Sequence, residues 1–267
     1  MQELLAIMAR LRGADGCPWD RQQSFASIAP YTIEEAYEVA DAAGRGDLAH
    51  LKEELGDLLF QVVFHAQMAS EAAAFDFEAV AGVICDKLVR RHPHIFGGGG
   101  PLTAAAQNAA WEEIKARERG ASAGPTQSHL DGVPPALPAL MRADKLSRRA
   151  ARVGFDFEHP GRTADKVDEE LAEVREAAAQ SAAAQRPGAA GGATDEVFEE
   201  VGDLLFAAAN LARKLGVDAE AALRAANAKF ERRFRGMEIL AASRGQIFEK
   251  LSLESQERLW EDVKRGE

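Results

Sequence analysis

Two pairs of carboxylates carry the first sign of chemistry in this sequence. In the stretches EEAYE (34–38) and EELGDLLF (53–60), acids stand three residues apart: Glu35 with Glu38, and Glu54 with Asp57. On a helix that spacing puts both members of a pair on one face. Between the pairs lie Gly44, Arg45, Gly46 and Asp47, which read as a turn that would fold two helices back on each other and set the pairs face to face. Four converging carboxylates repel one another, and leaving them partly desolvated without a counter-charge is costly. A cation between them resolves the conflict. An all-oxygen donor set suits a hard divalent ion, so the site is expected to take Mg²⁺, with Mn²⁺ as a substitute.

The same arrangement occurs twice. Glu170 and Glu173 stand in EELAE (169–173), and Glu200 and Asp203 in EEVGDLLF (199–206). Two further matches follow in the same order, DKLVRR (86–91) with AKFERR (228–233), and WEEIK (111–115) with WEDVK (260–264). Four coincidences in order indicate a duplicated helical unit. An isolated EExxE is ordinarily solvated helix surface. Here the acids lead into LLFQVVFHA and LLFAAANLA, helices apolar on nearly every face and therefore expected to be buried all round. Lys229 and Arg233 share a helix face and, with Arg232, offer positive charge to a polyphosphate, which phosphoryl chemistry needs as the P–O bond breaks. Trp260, like Trp111, offers a flat face to a nucleobase or packs an amphipathic helix, and both readings stand.

Other chemistries are poorly supplied. No Glu has a His three residues later, as a di-iron carboxylate bundle would require. His92 and His94 flank Pro93 ahead of a glycine run, with no Cys or Glu at zinc spacing. His65 lies in an apolar stretch and reads as a hydrogen-bonded core residue. Cys17 and Cys85 are far apart and in no CxxC spacing, which fits a reducing cytoplasm. A net charge of −11 argues against nucleic acid as a partner, and no run of 18 apolar residues offers a membrane span.

The elements that must hold these groups are helices. Ala, Leu, Glu and Arg dominate while β-branched residues and Tyr are sparse, so the fold class is all-α, a tandem of duplicated helical bundles. The Gly-, Pro- and Ser-rich run up to Pro138 places a linker at 121–138, with one helical domain at 1–120 and a second at 139–267. Another low-complexity run, 181–194, is expected to be a loop. It lengthens the second acidic hairpin to 26 residues between Glu173 and Glu200, against 15 between Glu38 and Glu54. Each short unit would expose apolar stripes that need a partner, so a homodimer is expected.

Over essentially its whole length the sequence resembles the MazG family of nucleoside triphosphate pyrophosphohydrolases in their two-domain form. The resemblance is carried by GCPWDRQQ (16–23), TIEEAYEV (32–39), EELGDLLFQVVFHA (53–66) and DKLVRRHPHIF (86–96) in the first half. In the second it is carried by RRAARVGFDF (148–157), EEVGDLLFAAANLARKLG (199–216), NAKFERRFR (227–235) and WEDVK. It implies hydrolysis of NTPs and dNTPs to the monophosphate and pyrophosphate by a dimer of tandem helical domains. It also implies metal ligation by Glu170, Glu173, Glu200 and Asp203, and in the first unit by Glu35, Glu38, Glu54 and Asp57. Catalysis is then expected mainly in the second unit, with Lys229 and Arg233 on the triphosphate, Arg232 beside them and Trp260 near the base. The first unit keeps all four acids and has Lys87 and Arg91 at the matching basic positions. Two rival expectations are a narrow-specificity enzyme acting on dUTP, dCTP or phosphoribosyl-ATP, and a non-catalytic helical module that senses nucleotides.

Overall fold

A computed structural model describes residues 1–98, 128–184 and 194–267, with residues 100, 103, 106, 107, 110, 111, 114 and 118 between them. Residues 121–127 of the expected linker and 185–193 of the expected loop lie outside the described residues. The described secondary structure is helical throughout, with no strand among the described residues. No described helix is long and apolar enough to cross a membrane. The chain forms two compact units, Met1–Ala123 and Gly124–Glu267.

The first unit is built around a helical hairpin. Helix α1 spans Gln2–Arg12, the short α2 Pro18–Gln22, α3 Phe25–Arg45, α4 Leu48–Glu71, α5 Phe77–Arg91 and the single-turn α6 Pro93–Phe96. Ser24 starts α3 with a reciprocal cap, its side chain accepting from the Ser27 amide while the Ser27 hydroxyl accepts from the Ser24 amide. The turn between α3 and α4 is two residues of local chemistry. Gly46 takes the left-handed conformation at φ 69°, and the Asp47 side chain accepts from the His50 amide to start α4. The two helices then pack along each other. Met8, Ile28, Val63, Phe64 and Met68 form the core, with α1 laid against α4. Arg12 fastens that contact, its Nη2 donating to Glu71 Oε2 at 2.6 Å and its guanidinium lying 5.4 Å from the Phe64 ring centre. His65 is half-buried, its Nε2 3.1 Å from the Thr32 hydroxyl and its ring stacked on Phe25.

The second unit repeats the hairpin. Helix α7 spans Ala139–Arg152, α8 Pro160–Ala184, α9 Asp195–Lys214, α10 Ala219–Ser243 and α11 Leu253–Arg265, with a 3₁₀ turn at Phe248–Lys250. Thr194, Asp218 and Ser252 cap α9, α10 and α11 through their side-chain oxygens. Helices α8 and α9 form the main contact of the unit, and α7 packs on α9. Arg213 and Lys214 at the end of α9 grip Asp156 at 2.5 and 3.2 Å, tying the loop after α7 down. A second apolar cluster of Met237, Ala241 and Leu259 joins α10 to α11, with Trp260 and Val263 at its margin. The helices approach closely there, since a Cβ on Gly236 would stand 3.1 Å from Val263 Cγ1.

The expectation that the helices following the acids are buried all round is met only in part in the first unit, where Val62 is exposed, and fails in the second. In α4 the residues after Asp57 are largely buried, Val63 and Phe64 completely. In α9 Leu205 and Phe206 are exposed. Helix α9 packs mainly on α7 and α8, so a helix apolar all round keeps one face uncovered.

Candidate active site

The hairpins gather the acids into two matching groups. One oxygen each from Glu35, Glu38 and Glu54 lies within 4.8 Å of the others, and the same holds for Glu170, Glu173 and Glu200. In each group two acids come from consecutive turns of one helix and the third from its hairpin partner, α3 with α4 and α8 with α9. Asp57 and Asp203 are exposed and stand outside these tight groups, although the Asp57 charge is felt by Glu35 and Glu54.

Each group holds one acid almost out of solvent: Glu54 is 7% exposed in the first and Glu170 7% in the second. The electrostatics follow. Burial, then the charges of Asp57 and Glu38, push the Glu35 carboxyl above its ordinary value. Burial and the Glu38 charge raise Glu54, against the opposing pull of His50. Glu173 is raised by burial and by its hydrogen bond to Glu170, with Lys166 pulling the other way. Three carboxylate oxygens this close form a donor set that fits a small hard divalent cation.

The protein places a different nitrogen partner against each group. Lys166 Nζ lies 2.8 Å from Glu170 Oε1 and 2.8 Å from Glu169 Oε1, and these contacts raise the Lys166 pKa. In the first unit His50 Nε2 lies 3.1 Å from Glu54 Oε1. Neither residue was singled out by the sequence reading, yet each stands four residues ahead of the acid it meets, the spacing of helical neighbours.

The basic groups and Trp260 form a separate constellation. Lys229 and Arg233 lie one turn apart on α10, with Lys229 exposed and Arg233 half-buried. The Arg233 guanidinium carbon lies 5.5 Å from the Trp260 ring centre. Trp260 also packs on Phe230 at 5.6 Å and borders the α10–α11 cluster, so its packing role is real whatever else it does. Among the described residues no ion pair joins Lys229, Arg232 or Arg233 to the acidic group of α8 and α9. Arg232 and Arg233 both bind Glu267 instead. Glu267 also escaped the sequence reading, although the repeat extends to it: it follows Trp260 by seven residues, as Glu118 follows Trp111.

Comparison with known proteins gives this geometry a context. Residues 23–96 match a family model described as the MazG nucleotide pyrophosphohydrolase domain, and residues 145–230 one described as phosphoribosyl-ATP pyrophosphohydrolase. The chain is 50% identical over 268 residues to a nucleoside triphosphate pyrophosphohydrolase of Escherichia coli K12, covering 100% of this chain and 98% of the relative. It is 42% identical over 266 residues to the nucleoside triphosphate pyrophosphohydrolase/pyrophosphatase MazG of Thermotoga maritima, covering 100% and 96%. Among solved structures, a mazG-related protein from Thermotoga maritima is similar over 43% of this chain and 99% of its own, at 30% identity and a TM-score of 0.38.

Proposed function

Because the chain belongs to the MazG family of nucleoside triphosphate pyrophosphohydrolases, we propose that its second unit hydrolyses NTPs and dNTPs to the monophosphate and pyrophosphate in a Mg²⁺-dependent reaction. The observation that carries this reading is the convergence of Glu170, Glu173 and Glu200 within 4.8 Å. With Asp203 these acids would hold the ion, and Mn²⁺ would substitute for it. A divalent ion held by these acids would supply charge neutralisation for the phosphates and a more acidic water.

The chain's own groups do the rest. Lys229 and Arg233, one turn apart, bind the triphosphate and offset charge as the P–O bond breaks, with Arg232 beside them. Trp260 sits by the base while keeping its packing against Phe230. Glu35, Glu38, Glu54 and Asp57, with Lys87 and Arg91, form the equivalent site of the first unit. The 145–230 match favours a second reading, in which the second unit prefers phosphoribosyl-ATP. The exposed apolar faces support assembly as a homodimer, and two free cysteines suit a reducing cytoplasm.

The test measures pyrophosphate release over a panel of NTPs, dNTPs and phosphoribosyl-ATP, with Mg²⁺ and with chelator. Turnover in Glu170→Ala plus Glu173→Ala is compared with that in Glu35→Ala plus Glu38→Ala, with helical content measured for both. Loss in the first double variant at unchanged helicity is the expected result. Full turnover in both would sink the metal-site reading, and turnover of phosphoribosyl-ATP alone would establish the narrow one.

A further inference from the structure

The arginines of α10 are held by a contact that occurs twice in the chain. Glu267 gives one carboxylate oxygen to each guanidinium. Arg233 Nε and Nη2 donate to Oε2 at 3.0 and 2.7 Å, and Arg232 Nε and Nη2 donate to Oε1 at 3.3 and 3.0 Å. In the first unit Arg91 Nε and Nη2 donate to Glu118 Oε2 at 3.1 and 2.5 Å, and Arg90 Nε donates to Oε1 at 2.7 Å. In both, one carboxylate bridges two adjacent arginines with one oxygen to each, and both acids follow their tryptophan by seven residues. Chance surface ion pairs are loose and contribute little. They would not reproduce a register and a bridge between two adjacent arginines together.

Arg233 is restrained a second time, by the Trp260 ring 5.5 Å away. Glu267 takes the Nε/Nη2 edge of the guanidinium and Trp260 borders its face, while Nη1 makes no hydrogen bond among the described residues. A planar fork fixed at edge and face presents its remaining N–H groups in one direction. Two arginines against one carboxylate leave a net charge of one positive unit, so the held pair still attracts a polyphosphate. The pairing also keeps the Glu267 carboxyl down at about 2, and Glu118 at about 2, so both are ionised at any ordinary working pH.

We propose that Glu267 is a positioning residue for the pyrophosphohydrolase reaction. It locks Arg233 against Trp260 in the orientation that receives the triphosphate, and Glu118 holds Arg91 by the equivalent carboxylate contact in the first unit. The proposal rests on the reading of Arg233 as a triphosphate ligand. The opposite behaviour of the same contact would be competition, in which the carboxylate occupies the arginines and the phosphates must displace it. Positioning and competition move KM in opposite directions.

The experiment uses the full chain with Mg²⁺ and ATP and measures kcat, KM and thermal unfolding for Glu267→Gln, Glu267→Asp, Arg233→Ala and the double variant Arg233→Ala plus Glu267→Gln. Positioning predicts a KM for Glu267→Gln raised on the order of tenfold, partial rescue by Glu267→Asp, and an unfolding midpoint close to the parent's. It also predicts that Glu267→Gln adds nothing once Arg233 is gone. A KM that falls in Glu267→Gln establishes competition and overturns the proposal. So does an unchanged KM while Arg233→Ala raises it, or a Glu267→Gln effect that persists undiminished without Arg233. If Arg233→Ala itself leaves KM unaltered, the triphosphate reading of Arg233 fails, and that failure is visible separately from the behaviour of Glu267.

Discussion

Raised carboxyl groups at Glu35, Glu54 and Glu173 are a destabilisation the folded protein carries while its acids face one another. Lys166 and His50 offset part of it, each from one turn earlier on the helix. A divalent ion offsets more, so Mg²⁺ should raise the unfolding temperature at neutral pH. A concentration one hundred times Kd corresponds to about 2.7 kcal/mol per site. An unfolding midpoint indifferent to Mg²⁺ and Mn²⁺ would remove the acids from metal binding. Glu71 behaves in the opposite sense, since Arg12 holds its carboxyl below the ordinary value. A depressed carboxyl contributes stability that is present above the pKa of the unfolded chain and is lost as pH falls through the lower folded value. Glu71→Gln should therefore cost about 1 kcal/mol at neutral pH, allowing for partial exposure, and the difference should close in strong acid. Denaturant unfolding at several pH values measures it, and a gap that is constant with pH would show that the Arg12 contact is not ionic in effect.

At the scale of elements, the hairpin that brings the acids together was legible because its signals are local. Gly46 in the left-handed region and Asp47 as a cap stop one helix and start the next within two residues, and both could be read from the sequence as a turn. The three-residue spacing of the acids likewise fixed their shared faces. What spacing could not fix is how deep each pair lies across the contact of two helices. That decides why Asp57 and Asp203 stand outside the tight groups while Glu54 and Glu170 are buried. The Glu267 contact was hidden for the same reason, because it joins α10 to the residue just beyond the end of α11, and no local pattern encodes how those helices cross. The turn makes a test with two signs. Gly46→Ala forces a side chain into φ 69° and should destabilise by about 1 kcal/mol. Gly44→Ala, inside α3 with nothing within 4 Å of its Cβ, should stabilise by about 0.5–1 kcal/mol. Denaturation midpoints moving in the same direction would contradict this account of the turn.

At the scale of the whole molecule, each unit leaves an apolar stripe uncovered, at positions of the repeat that coincide only at Leu55 and Val201. Phe198, Val201 and Leu205 stand at helical spacing on α9, with Phe198 78% and Leu205 53% exposed. Leu48, Leu55 and Val62 form a stripe of the same kind on α4, spaced by sevens. An apolar stripe along a helix packs well against its own copy across a two-fold axis, and such isologous contacts are the commonest route to a dimer. It also accounts for a helix that is apolar all round and only partly covered within its own unit. Phe198→Ser combined with Leu205→Ser should therefore halve the mass measured by light scattering. Because both side chains are largely exposed in the single chain, the same change should shift the intrinsic stability of the second unit by only about 0.5 kcal/mol per site. A mass that stays at that of two chains would mean that α9 is not the interface. A parent protein already at the mass of one chain would mean that the stripe serves some purpose other than pairing.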